Sequence, residues 1–206
     1  MEKPVTFLVG EVRLEGLLWT PPSAPLIGAV LCHPHPLYGG EMHNNIITAL
    51  AETFQQAGIM TLRFNFRGVG QSEGTHGHGE AEVEDVRAAV TALLGSHVVP
   101  TVVVAGYSFG AMVGLRAGAH DARVHTLIGV ALPLARREAS FLLTAHKPTL
   151  LISGDQDDIS PVAALQELAA GLPEPKKLVT IPGADHFFWG QERIVAHIAL
   201  TFVRSA

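Results

Sequence analysis

The chain has 206 residues, 48% hydrophobic and 16% charged, which fits one compact domain with a large core rather than a disordered or fibrous protein. A formal net charge of -5, with 14 Lys and Arg scattered along the chain, leaves no basic footprint for nucleic acid or an anionic membrane. A single cysteine rules out an intramolecular disulfide, and no apolar run reaches the length of a transmembrane helix.

Met1-Glu2-Lys3-Pro4 opens without the apolar stretch of a signal peptide, so a cytoplasmic protein with no membrane insertion is expected. Val5 to Val9 and Val12 to Trp19 alternate and are separated only by Gly10-Glu11. That spacing predicts an antiparallel hairpin, or two meander strands, at a sheet edge. Ile27 to Cys32 is a continuous apolar run, as in a strand buried on both faces, and Cys32 within it reads as core. Asn44 to Ala57 has helical apolar spacing and is stopped by Gly58; Ile59 to Phe64 is strand-like. Glu80 to Leu94 is an amphipathic helix with Val83, Val86, Ala89, Val90 and Leu93 on one face. Strand Val102 to Ala105, helix Phe109 to Ala119 and strand Thr126 to Ala131 follow. Pro133 to Pro148 holds at most one short helix. Strand Thr149 to Ser153, helix Pro161 to Gly171, strand Lys177 to Ile181 and helix Gln191 to Val203 complete the pattern. The alternation predicts an α/β fold with a mostly parallel sheet of about eight strands and helices on both faces. Residues 1–206 read as a single domain without room for a separate lid.

The chemistry concentrates at Gly106-Tyr107-Ser108-Phe109-Gly110, which lies between an apolar β-branched run and a helix. This is the Gly-x-Ser-x-Gly nucleophile elbow in its strand–turn–helix context. The turn lifts a serine hydroxyl clear of the strand end. The helix that starts there aims its free N–H groups and positive dipole end at the same place. An acyl-transfer serine also needs a base, and the base needs a carboxylate to orient it. In a parallel α/β sheet these belong on loops at the strand C-terminal ends. Asp155, Asp157 and Asp158 share one such loop, and His186 occupies the loop after the last predicted strand. The chain order is therefore Ser, Asp, His, with any of the three carboxylates eligible. Asp185 fits a helix cap or a supporting position.

The chain resembles the α/β-hydrolase superfamily, and within it the small lidless serine hydrolases related to dienelactone hydrolase. The resemblance rests on Cys32-His33-Pro34-His35-Pro36-Leu37-Tyr38-Gly39-Gly40, Asn65-Phe66-Arg67-Gly68-Val69-Gly70-Gln71-Ser72, the elbow at Ser108, and Gly154-x-x-Asp157-x-x-x-Pro161 with Asp185-His186-Phe187. It implies Asp157 as the acid. It also implies an oxyanion hole made by the N–H groups of Phe109 and of the loop after the third strand. Pro34 and Pro36 have no N–H, which leaves His35 and Leu37, and the family's His-Gly-x pattern favours His35. Leu37, Tyr38, Tyr107 and Phe187 are candidates for the substrate pocket, and Phe187-Phe188-Trp189 could be wall, core or exposed patch. Arg67, Gly68 and Gly70 read as structural. Glu80, Glu82, Glu84 and Asp85 read as acidic residues complementing a helix dipole.

The reading is a serine hydrolase of carboxylic esters, with a small-molecule ester as substrate and no cofactor. A homo-oligomer is compatible with the sequence. Two other classes compete with it. A non-catalytic scaffold on the same fold would be expected to have lost one of the three residues. A metal-dependent hydrolase could draw on His33, His35, His43, His76 and His78, but these have no recognised ligand spacing. His76-Gly77-His78 lies in a glycine-rich stretch expected to be a flexible surface loop.

Overall fold

The computed structural model describes the backbone of residues 1–206 and every side chain except that of Ser96. Strands β1 (Lys3–Val9) and β2 (Val12–Trp19) pair antiparallel with Val9 opposite Val12, so Gly10-Glu11 is a two-residue turn. Gly10 sits at φ 58°, a conformation its missing Cβ allows. β2 then pairs antiparallel with β4 (Met60–Phe64). From β4 onward every neighbouring pair is parallel, through β3 (Ile27–Cys32), β5 (Thr101–Tyr107), β6 (Thr126–Val130), β7 (Thr149–Gly154) and β8 (Lys176–Ile181). The order across the eight-stranded sheet is β1-β2-β4-β3-β5-β6-β7-β8.

Helix α1 (Asn45–Gln56) shows why the sequence pattern was readable. Asn44 caps its start by accepting the Ile46 N–H at 3.0 Å. Ile46, Ile47, Leu50, Ala51 and Phe54 form its buried stripe, and Gly58, at φ 79°, ends the run. Burying each large side chain of that stripe contributes roughly 1.5–3 kcal/mol. α1 and α5 (Glu192–Ser205) cover one face of the sheet. The other face is covered by α2 (Ala81–Ser96), α3 (Phe109–Ala119) and α4 (Val162–Gly171). Among the described residues, no helix is long and apolar enough to cross a membrane. Between β6 and β7 there is one short 3-10 helix, Ser140–Thr144.

The topology places the site. β3 lies beside β5, yet the chain leaves β3 through α1 on one face and leaves β5 through α3 on the other. Their carboxyl ends therefore open a crevice at a topological switch point. The loop after β3 and the elbow after β5 form its two sides.

Candidate active site

Ser108 begins the turn between β5 and α3 at φ 54°, ψ -116°. A non-glycine residue there costs about 1–3 kcal/mol of backbone strain. The fold holds it with two hydrogen bonds: the Ser108 N–H donates to the Val130 carbonyl at 2.8 Å, and its own carbonyl accepts from the Met112 N–H at 3.1 Å. The flanking glycines let the turn seat. A Cβ on Gly106 would fall 2.2 Å from the Gly110 carbonyl oxygen, and one on Gly110 would fall 2.1 Å from that of Cys32. The elbow thus packs backbone to backbone against the end of β3.

Ser108 Oγ lies 2.9 Å from His186 Nε2, and His186 Nδ1 lies 2.8 Å from Asp157 Oδ2. A carboxylate only accepts, so Nδ1 carries the ring proton and Nε2 faces the serine as an acceptor. Asp157 is buried in a turn whose own N–H groups hold it: Ile159 and Ser160 donate to Oδ1 at 2.9 and 2.8 Å. The histidine loop is locked to the acid loop, with the Gln156 N–H on the Ala184 carbonyl at 2.9 Å. A Cβ on Gly154 would sit 2.1 Å from that same oxygen. Asp155 is exposed and accepts from the Gly183 N–H at 2.8 Å, Asp158 is exposed, and Asp185 accepts from the Phe187 N–H at 2.9 Å. Of the carboxylates that the sequence left eligible, Asp157 alone reaches the imidazole.

Two backbone N–H groups beside the serine, those of Phe109 and His35, have no acceptor among the described residues. The Leu37 N–H is taken by His35 Nδ1 at 3.2 Å within a short 3-10 turn, Pro36–Tyr38. The His35 and Phe109 rings pack with centroids 4.8 Å apart, so the loop after β3 rests on the residue that follows Ser108.

Tyr107 does not line a pocket. It is 3% exposed, and its hydroxyl donates to the His186 carbonyl at 2.7 Å. Period-2 alternation turns it away from the mouth, under the histidine, where it fixes that residue's backbone. Burial, then the nearby Asp157 and Asp185, pushes its phenol pKa well above the ordinary value. Leu37, Tyr38, Phe187 and Trp189 are the exposed apolar residues of the loops around the serine, whereas Phe188 is buried core. Cavities of about 570 and 390 Å³ lie nearby, one lined by Glu15, Met42 and Asn65 among others, the second by Met112, Arg137 and Phe141 among others. Ser108 lines neither of these two cavities and is itself half-buried.

Two expectations change in the structure. His76-Gly77-His78 is a packed turn whose His76 ring lies against His35 and Phe109, because buried Glu82 gathers its N–H groups. Glu82 and Asp85 do stand near the start of α2, but fully buried and bonded to neighbouring loops. Asp85 holds the loop after β4 through the Arg67 guanidinium at 2.5 Å; burial raises the Asp85 carboxyl against the lowering effect of that arginine. The sequence signal for these roles was a glycine-rich turn followed at once by acidic residues, a ready source of unpaired N–H donors and of carboxylates to receive them.

His33, part of the loop motif and one of the histidines considered as metal ligands, fastens two site loops together. It is fully buried; its Nε2 accepts the Phe66 N–H at 3.0 Å and its Nδ1 lies 2.7 Å from the Pro34 carbonyl. Burial lowers its pKa from 6.5 to about 4, opposed by the Pro34 hydrogen bond. The unfolded chain therefore takes up this proton first as pH falls below 6.5. Stability is fully present above that pH and is lost down to about 4, a window worth about 3 kcal/mol. His33→Gln can keep both hydrogen bonds without titrating. Urea unfolding between pH 4 and 7 should show the wild type losing about 3 kcal/mol more than this variant. Parallel curves would contradict the assignment.

Comparison with known proteins places this geometry. The family model for serine aminopeptidase, S33, matches residues 30–140, more than half of the chain. The chain belongs to this family and to the α/β-hydrolase superfamily. An uncharacterised protein of Rickettsia prowazekii is 31% identical over 189 residues, 86% of this chain and 79% of its own length. The α/β serine hydrolase without a lid from Xanthomonas campestris superposes with a TM-score of 0.89 at 33% identity, covering 99% of this chain and 94% of its own. An α/β serine hydrolase homologue from Coxiella burnetii gives 0.85 at 34% identity, covering 98% and 96%. This α/β hydrolase thus shares the fold of a lidless serine hydrolase over nearly its whole length.

Proposed function

We propose that this α/β hydrolase cleaves carboxylic esters with Ser108 as nucleophile, His186 as general base and acid, and Asp157 as the carboxylate that orients the imidazole. The observation that carries the reading is the continuous pair of contacts from Ser108 Oγ to His186 Nε2 at 2.9 Å and from His186 Nδ1 to Asp157 at 2.8 Å. Ser108 Oγ attacks the acyl carbon as its proton passes to Nε2. The negative charge that develops on the carbonyl oxygen is met by the N–H groups of Phe109 and His35, both without another acceptor among the described residues. Collapse expels the alcohol, which leaves with the proton from Nε2. Water then gives its proton to the same nitrogen, attacks the acyl-enzyme and releases the acid and free serine.

The exposed Leu37, Tyr38 and Phe187 on the loops around Ser108 support a substrate with a short or accessible acyl group laid on an apolar rim. The test is a panel of p-nitrophenyl esters from acetate to decanoate beside aminoacyl p-nitroanilides. Turnover of the shorter esters, with little or none of the anilides, is expected. A preference for the aminoacyl amides would replace esters with peptides as the substrate class, and turnover of neither would favour the scaffold reading.

A further inference from the structure

Glu82 takes no part in that chemistry, yet it is 0% exposed. A buried carboxylate is costly unless donors meet its oxygens. Here Oε1 accepts the Gly77 N–H at 2.7 Å and Oε2 accepts the Gly79 N–H at 2.8 Å. His76 Nδ1 lies 2.9 Å from Oε1 but off the hydrogen-bond direction, so that contact is one of packing. The turn drawn around this carboxylate is tight. His78 and Gly79 stand at φ 58° and 94°, and a Cβ on Gly77 would meet the Ala81 Cβ at 2.5 Å. Two neighbouring elements hold it as well: Arg116 pairs with Glu80 at 2.6 Å, and Arg137 donates to the His78 carbonyl at 3.2 Å.

What the turn presents is the His76 ring. Its centroid lies 5.0 Å from that of His35 and 5.4 Å from that of Phe109, and those two rings are 4.8 Å apart. His35 and Phe109 are the residues to which the oxyanion-binding N–H groups are assigned. They come from different loops, and the loop that carries His35 has Pro34 and Pro36 beside it, with the Tyr38 and Gly40 N–H groups bonded to the His35 carbonyl at 3.1 and 3.0 Å. An oxyanion hole works only when both donors are set before the charge develops. We propose that Glu82 is a positioning residue for the oxyanion hole, acting through the His76–Gly79 turn to wedge the His76 ring against His35 and Phe109.

This rests on the serine-hydrolase reading, and the test separates the two. Steady-state hydrolysis of a p-nitrophenyl ester, and inhibition by an alkyl boronic acid that forms a tetrahedral anion on the serine, are measured for the wild type, Glu82→Gln, His76→Ala and His76→Phe. Thermal unfolding is followed alongside. Glu82→Gln and His76→Ala should lower kcat about 10- to 100-fold with KM little changed, as expected of donors displaced by a fraction of an ångström. Boronate affinity should fall by a similar factor. His76→Phe, which restores a ring, should recover most of what His76→Ala loses. A purely structural role would lower the unfolding temperature and leave kcat and boronate affinity at wild-type values, and that result overturns the proposal. If Glu82→Gln does not fold, the His76 pair decides alone, since it leaves both glycine N–H bonds to Glu82 in place. A wild type that neither hydrolyses the ester nor binds the boronate would overturn the serine-hydrolase reading itself; an active wild type with equally active variants overturns only the role of Glu82.

Discussion

Ser108→Ala should lower ester turnover by about 10⁴-fold or more while leaving the unfolding transition where it is. Both halves follow from what the side chain touches. Among the described residues its one hydrogen bond is to His186 Nε2, it does not cap α3, and it is half-buried. Removing the hydroxyl therefore takes away the nucleophile and that single hydrogen bond and leaves no large cavity. The strained φ persists in alanine, so no relief of strain is expected either. Kinetics and urea unfolding on the same preparation check this. Retained turnover would mean another nucleophile, and a loss of more than about 1 kcal/mol would make the serine a structural residue.

Asp157→Asn should cost about 10⁴ in kcat, the scale seen when this role is removed from a serine triad. Asparagine can still accept the Ile159 and Ser160 N–H groups through Oδ1, so the turn should survive. Its amide would then offer an N–H to His186 Nδ1, where the carboxylate had accepted one. The ring responds by moving its proton to Nε2, which points that proton at Ser108 Oγ and removes the base. Asp155→Asn is the control. That side chain is exposed and accepts from the Gly183 N–H, which an amide oxygen also does, so turnover should change little. A larger loss at Asp155 than at Asp157 would contradict the assignment.

The strands and helices were legible because each has one strong local period. The hairpin at Gly10-Glu11, the all-buried β3 and the stripe on α1 are set by residues within a dozen positions of each other. Ser108 and His186 were legible for a related reason, since each follows an apolar strand in a parallel sheet. The choice among Asp155, Asp157 and Asp158 was not a matter of period. It came from resemblance, and in three dimensions it depends on which carboxylate the turn aims at the imidazole. The environment of Glu82 was hidden because the first turn of any helix tolerates acids. Only the return of Gly77 and Gly79 over α2 makes this one a buried hub. Tyr107 was misplaced because neighbours of a nucleophile in sequence point to opposite faces of the strand that ends there.

The measurement that tests the account most directly is reaction of the purified protein with a fluorophosphonate, read by intact mass and peptide mapping, beside Ser108→Ala. The account predicts one adduct per chain on Ser108 and none on the variant, because phosphonylation needs both a base-activated hydroxyl and donors for the phosphoryl oxygen. A wild type that stays unmodified, or an adduct that persists in Ser108→Ala, would contradict it.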